Sequence, residues 1–349
     1  VSSLFSTLQD FIQRSPLDEL NDEIFNNLAL KVFYHQRAHN KNYRQYCESI
    51  GFKELTHWTE IPILTTELFK FVPLTCFNSD QATKIFHSSG STSSDKSIHY
   101  LSSQELELYE LSLWRTFSNA FNLNTEYKPS LFILTEKPSE RENSSLIHMF
   151  KVVAEKLGYS ENCFYYHNEL LDWERLQMDF QHSVNKNTPC LIAGTAFSFV
   201  HLLDSPFRKI QLPSGSMLME TGGYKGKSRE LSKEELYDQI SSLFHIDKSS
   251  IVGQYGMSEL CTQYYDSPIS RLKRATPWSR VRVLSTNDLS REVEVGEIGL
   301  LAHYDLANID SCAFVLSGDL GIKKNFYEFD IIGRASQLKA KGCSLNYSN

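Results

Sequence analysis

Between residues 130 and 256, short apolar runs alternate with amphipathic stretches, and this alternation restricts the possible folds more than any other property of the chain. "SLFILT" (130–135), "PCLIAGT" (189–195), "SMLMET" (216–221) and "SIVGQYG" (250–256) each read as a buried strand, being short, aliphatic and bounded by turn residues. Between them, "SSLIHMFKVVAEKLG" (144–158), "AFSFVHLL" (196–203) and "SKEELYDQISSLF" (232–244) read as helices, the last opened by a Ser232/Glu235 capping box. Parallel neighbours need a crossover and antiparallel ones do not, so the alternation predicts an α/β fold with substantial parallel sheet.

The flanks differ. The first ~80 residues predict mostly helix, with Leu4, Phe5, Leu8, Phe11 and Ile12 on one face of the first. "EIPILTTELFKFVPL" (60–74) then breaks the period with two prolines. "KIFHSSG" (84–90) and "SIHYLS" (97–102) predict two strands around a serine-rich turn, followed by a long amphipathic helix over 103–121. After about residue 275, short strands with turn signals are expected. The net charge of −7 excludes bulk attraction to nucleic acid or anionic membrane, so any bound anion needs a local site. No apolar run reaches the ~18–20 residues of a membrane span, and the N-terminus lacks a signal-peptide layout. The seven cysteines (47, 76, 163, 190, 261, 312 and 343) are scattered without a CxxC or a Cys/His cluster. They suggest neither zinc nor a disulfide framework, and a cytoplasmic location is expected.

The turn "HSSGSTSSDKS" (87–97) is either a solvated serine linker or a loop that holds phosphate. Gly90 permits close backbone approach, hydroxyls beside successive N–H groups can make an anion-binding concavity, and Lys96 adds a point charge. It is not a Walker A loop, because Asp95 precedes the lysine and a strand follows. "TGGYKGKS" (221–228) fails the same test. Thr221 stands where the first glycine belongs, and the next helix opens only near Ser232.

What the turn does resemble is the [ST]-S-G-[ST]-T-G-x-P-K loop of the adenylate-forming (ANL) superfamily. Ser88, Ser89, Gly90, Ser91, Thr92 and Lys96 match, while Ser93 and Asp95 depart from the pattern. Further matches follow in family order. "METGGYK" (219–225) resembles the adenine-pocket strand, with Gly222 and Gly223 against the base. "QYGMSEL" (254–260) keeps the Tyr-Gly-x-[ST]-Glu core as Tyr255, Gly256, Ser258 and Glu259. "LSGDLG" (316–321) resembles the T-G-D motif through Asp319, and "IIGRASQLKAKG" (331–342) resembles the hinge motif through Arg334, with Ser336 in place of the usual aspartate. The resemblance implies ATP and Mg²⁺ as cofactors. It implies that Tyr255 lies near adenine, Ser258 near the α-phosphate, Glu259 on the metal and Asp319 on the ribose hydroxyls. It also implies an ANL-type α/β core over residues 1–332, with mixed, largely parallel sheets flanked by helices and then a short β-rich region. Residues 333–349 would form a hinge and tail, with the mobile C-terminal domain of most members absent or minimal.

Within the superfamily the chain looks most like the acyl-protein synthetase (LuxE) group, which activates a fatty acid as acyl-AMP and takes the acyl group onto its own cysteine. Cys343 stands where that cysteine would be, beside Lys339, Lys341 and Gly342; nearby positive charge lowers a thiol's pKa. The implied partners are a carboxylic acid and an acyl-accepting reductase or transferase, with neither nucleic acid nor stable membrane insertion. Two alternatives stay open: a CoA ligase of the phenylacetate type, and a non-catalytic nucleotide- or acyl-binding protein on the same fold. His87 and His148 read as structural histidines. "LIAGTAFSFVHLL" (191–203) reads as core more than as an acyl-pocket wall.

Overall fold

Polar residues just ahead of the apolar stretches set where the first helices begin. Ser3, Asn21 and Asn40 each accept a backbone N–H three residues on, opening α1 (Leu4–Arg14), α2 (Asp22–His39) and α3 (Lys41–Ser49). Next come β1 (Leu64–Thr65), β2 (Lys84–His87), β3 (Ile98–Leu101) and α4 (Ser103–Ala120). They are followed by β4 (Ser130–Leu134), α5 (Ser145–Lys156), β5 (Tyr166–His167), β6 (Leu170–Leu171) and α6 (Trp173–Asn185). The middle continues with β7 (Cys190–Thr195), α7 (Ala196–Asp204), β8 (Met217–Thr221), α8 (Lys233–Phe244) and β9 (Ile251–Tyr255). Last are β10 (Tyr264–Tyr265), β11 (Lys273–Arg274), β12 (Ser279–Leu284), β13 (Ile298–Asp305), β14 (Phe314–Lys323) and β15 (Glu328–Arg334). This computed structural model describes residues 3–51, 53–88, 96–123, 128–224 and 228–335. Among them, no helix is long and apolar enough to cross a membrane.

The chain divides into two units. One holds Trp114–Tyr255 and Tyr265–Arg271. Its five-stranded sheet has the order β10-β9-β8-β7-β4, and β4, β7, β8 and β9 run parallel, as the strand–helix alternation predicts. Phe132, Phe180, Phe207 and Phe244 form the aromatic centre of its core, with Phe132 and Phe180 stacked at 4.1 Å between centroids. The helix over 196–204 buries Ala196, Phe199, Val200 and Leu202 in that same core, so the stretch is core as read. The helix α6 has no clear signal in the sequence pattern. Its buried stripe is only Leu176, Phe180 and Ser183, too thin to show as a helical period.

The other unit holds the described residues up to Leu113, with Gly256–Tyr264 and those from Leu272 onward. Its sheet runs β11-β15-β14-β13-β12 antiparallel, and β1 pairs with β14 in parallel, Leu64 opposite Val315. Two strands are longer than the turn signals suggest, eight residues in β13 and ten in β14. Gly321 accounts for part of that difference. It is not a turn residue but a mid-strand one, where a Cβ would lie 2.6 Å from the Asp330 carbonyl oxygen. Across the unit, Gln36 of α2 donates to the Asn308 and Ile309 carbonyls at 2.6 and 3.0 Å and accepts the Ala313 N–H at 3.1 Å.

His303 lies inside this sheet at 0% exposure, its ring against Tyr264. Burial pushes its imidazole down to about 3, while the unfolded chain protonates it near 6.5. A depressed folded-state pKa gives stability that is present above the unfolded pKa and lost as pH falls toward the folded one. Between pH 7 and pH 5 the wild type should therefore lose about 2 kcal/mol more than His303→Gln. Paired urea titrations at the two pH values measure the difference.

Candidate functional site

The phosphate-loop candidate is the turn of a hairpin. β2 and β3 pair antiparallel, with His87 opposite Ile98. Ser88 donates its N–H to the Ser97 carbonyl at 3.1 Å, and its hydroxyl accepts the Ser97 N–H at 2.8 Å, which closes the base of the turn. Lys96 is half-buried beside it, and burial first and Lys96 second hold the His87 imidazole below its ordinary range. Ser89, Gly90, Ser91 and Thr92 lie outside the described residues.

In the parallel-sheet unit, Gly222 and Gly223 follow the last residue of β8, and Tyr255 closes β9 beside it. Thr221 and Gln254 sit opposite each other in register, and the Thr221 hydroxyl bonds the Gln254 side chain. The structure thus brings the two glycines and Tyr255 to the carboxyl ends of adjacent parallel strands, where open α/β sheets take their ligands. A Cβ at Gly222 would meet nothing within 4 Å, and Gly223 has φ +110°, a conformation that favours glycine. The division between the units falls between Tyr255 and Gly256.

In the other unit, Gly256, Ser258 and Glu259 form a turn braced from below. Ser258 donates its hydroxyl to Glu259 Oε2 at 2.9 Å, and both residues are buried. The end of β13 and the loop after it hold the turn in place. Asp305 accepts the N–H groups of Cys261 and Thr262 at 2.8 Å each, the Thr262 hydroxyl at 2.7 Å and the Ala307 N–H at 3.2 Å. Asn308 donates to the Glu259 carbonyl at 3.0 Å, and His99 Nδ1 bonds the Ser258 carbonyl at 2.7 Å. Burial holds the Asp305 carboxyl above its ordinary range, against the opposing pull of its hydrogen bonds. Asp305→Ala would orphan several buried donors at once, so a loss of about 3–5 kcal/mol is expected, read as a lower urea midpoint. Nothing in the sequence pattern marks Asp305, Asn308 or His99; "DLANID" (305–310) carries no signal beyond two acids beside a loop.

Asp319 on β14 and Arg334 on β15 are register partners, with Arg334 Nε 3.4 Å from Asp319 Oδ1. Ser317 shapes the approach: its hydroxyl accepts the Asp319 N–H at 3.2 Å and donates to the Leu301 carbonyl at 3.1 Å. The structure therefore joins two motifs that read separately in the sequence. Cys343, like Ser336, Lys339 and Lys341, lies outside the described residues.

As a donor set, the Ser258–Glu259 turn suits a hard cation. The Ser258 hydroxyl occupies Glu259 Oε2, which leaves Oε1 as a carboxylate oxygen of the kind Mg²⁺ prefers.

Residues 6–349 match the family described as "Acyl-protein synthetase, LuxE". Two curated relatives are named long-chain-fatty-acid–luciferin-component ligase. The one from Aliivibrio fischeri is 26% identical over 95% of this chain and 89% of its own. The one from Vibrio harveyi is 23% identical over 92% and 85%. Among solved structures, 2-hydroxyisobutyryl-CoA ligase in its postadenylation state aligns with a TM-score of 0.67 at 14% identity, over 90% of this chain and 68% of that one. ATP-bound MatB from Rhodopseudomonas palustris aligns at 0.52 and 15% identity, over 74% and 49%. The fold is that of the adenylate-forming ligases, and the chain belongs to the acyl-protein synthetase (LuxE) family, a family of ligases.

Proposed function

We propose that the protein activates a fatty acid with MgATP as acyl-AMP and then transfers the acyl group to the thiol of Cys343, from which an acceptor protein takes it. The family match over residues 6–349 carries this reading, and the names of the two relatives supply the fatty-acid class. In the first step the acid's carboxylate oxygen bonds to the α-phosphorus while the α–β phosphoanhydride bond breaks, and pyrophosphate leaves. Gly222, Gly223 and Tyr255 receive the adenine, Asp319 the ribose hydroxyls, and Ser258 the α-phosphate. The 88–92 loop and Lys96 hold the polyphosphate, and Arg334 stays paired with Asp319. Mg²⁺ bound at Glu259 would offset the charge of the departing pyrophosphate. In the second step the Cys343 thiolate bonds to the acyl carbon, the bond to AMP oxygen breaks, and AMP departs. The thiol proton goes to solvent. The acceptor is a reductase or transferase, and the site of action is the cytoplasm.

Intact-protein mass spectrometry tests this directly. The full chain is incubated with MgATP and a pool of fatty and aromatic acids without CoA. An acyl mass released by hydroxylamine is expected. Pyrophosphate without an adduct would assign the acceptor role to CoA. Neither product would favour a binding protein.

A further inference from the structure

Next to the Ser258–Glu259 turn, three side chains with metal-ligating atoms converge out of reach of solvent. His99 on β3, Glu105 in the first turn of α4, and Cys261 are exposed by 1%, 0% and 0%. Their ligand atoms lie within 4.8 Å of one another. His99 Nε2 stands 4.0 Å from Glu105 Oε1, too far for a hydrogen bond. Among the described residues, His99 Nε2 and both Glu105 oxygens have no hydrogen-bond partner. The Asp310 and Ser311 amides approach Glu105, and Asn308 approaches His99, but none reaches hydrogen-bond geometry. Polar atoms removed from water and left unpaired are strongly disfavoured, and three meeting at one point call for a shared partner.

The tautomer of His99 says what kind of partner. Nδ1 faces the Ser258 carbonyl at 2.7 Å, and a carbonyl can only accept. In the neutral ring the proton therefore sits on Nδ1, and Nε2 presents a lone pair to Glu105 and Cys261. A histidine tied to a backbone carbonyl through one nitrogen, with the other free to bind, is the usual arrangement of a metal ligand. We propose that His99 Nε2, a Glu105 oxygen and Cys261 Sγ form a structural site for a thiophilic divalent cation of the zinc type. Binding releases the Cys261 thiol proton and the Glu105 acid proton to solvent. The cation, thiolate, carboxylate and neutral imidazole then sum to zero charge, which a buried site tolerates. Tetrahedral zinc with bonds of about 2.0–2.3 Å sets its ligand atoms about 3.3–3.8 Å apart, so the cluster must tighten by roughly half an ångström or more. The Asn308 side chain approaches His99, and its Oδ1 is likewise buried and unpaired.

A second trio, His35, Cys76 and Asp310, has similar spacing, but its imidazole Nε2 and its carboxylate already have partners. His35 Nε2 bonds Asp310 Oδ1 at 3.1 Å, and the Ser102 hydroxyl donates to Asp310 Oδ2 at 2.6 Å. It serves as the internal control. A filled site would fix His99, and through it the carbonyl of Ser258 beside Glu259, so the cation would be a positioning element for the turn.

The test uses the full chain, stripped of metal under reducing conditions and titrated with Co²⁺. One equivalent should bind with tetrahedral d–d bands and a sulfur-to-cobalt charge-transfer band, and Zn²⁺ should displace it. Cys261→Ser should abolish the charge-transfer band and weaken zinc binding at least 100-fold, and Glu105→Gln should weaken it at least tenfold. Cys76→Ser and Cys343→Ser should keep the band. X-ray absorption on the wild-type complex needs no variant and should show one sulfur among nitrogen and oxygen neighbours. No bound equivalent, a band that survives Cys261→Ser or vanishes in Cys76→Ser, or a shell with no sulfur or with two, overturns the site.

Discussion

Cys343→Ala is expected to abolish covalent acylation while leaving first-turnover pyrophosphate release within about twofold of wild type. In the proposed mechanism the two half-reactions use different groups, and alanine would remove only the proposed nucleophile of the second. The other six cysteines are poor substitutes for it. All are free thiols, and every one but Cys76 is buried. Burial pushes Cys47 to about 11 and Cys163, Cys190 and Cys312 to about 12, with Cys76 and Cys261 also raised. None presents a thiolate near neutral pH, and the thiolate is the nucleophile. Single-turnover quench with mass detection separates the two steps. An adduct that survives in the variant would move the carrier role elsewhere.

Glu259→Gln should lower acid-dependent pyrophosphate release by about 100- to 1000-fold, with a higher Mg²⁺ requirement. Glutamine keeps the shape of the side chain and an oxygen for the Ser258 hydroxyl. It removes only the charge proposed to face Mg²⁺. The brace from Asp305 and Asn308 acts on the backbone of the turn and on Thr262, so the variant should fold with an unchanged melting midpoint. Pyrophosphate release close to wild type at low Mg²⁺ would make Glu259 a structural residue of the turn.

Local features were legible in the sequence because their signals lie within a few residues. The Ser232/Glu235 capping box, the β2–β3 hairpin and the parallel strands all appear where residue pattern puts them. Each nucleotide-loop motif is likewise a short run. What the sequence hid depends on distant partners. Asp305 is a bracing residue only because Cys261 and Thr262, 44 and 43 positions earlier, point their N–H groups at it. The pairing of Asp319 with Arg334 needs the register of β14 on β15. His99, Glu105 and Cys261 become a cluster only once β3, α4 and the turn are packed, so a search for closely spaced Cys and His passes over them.

The pairing of β1 with β14 bears on how the chain is made. Leu64 leaves the ribosome long before Val315, its partner in the sheet. At ~5–20 residues per second the interval is roughly 12–50 s. Over that time the N-terminal helices wait without the strands that cover them, while residues 114–255, an unbroken stretch belonging to the other unit, can fold as they emerge. Nascent chains arrested near residue 290 should therefore resist protease across 130–255 and be cut freely before residue 80. A nascent chain of this protein would thus depend on holdase chaperones at its beginning more than at its middle.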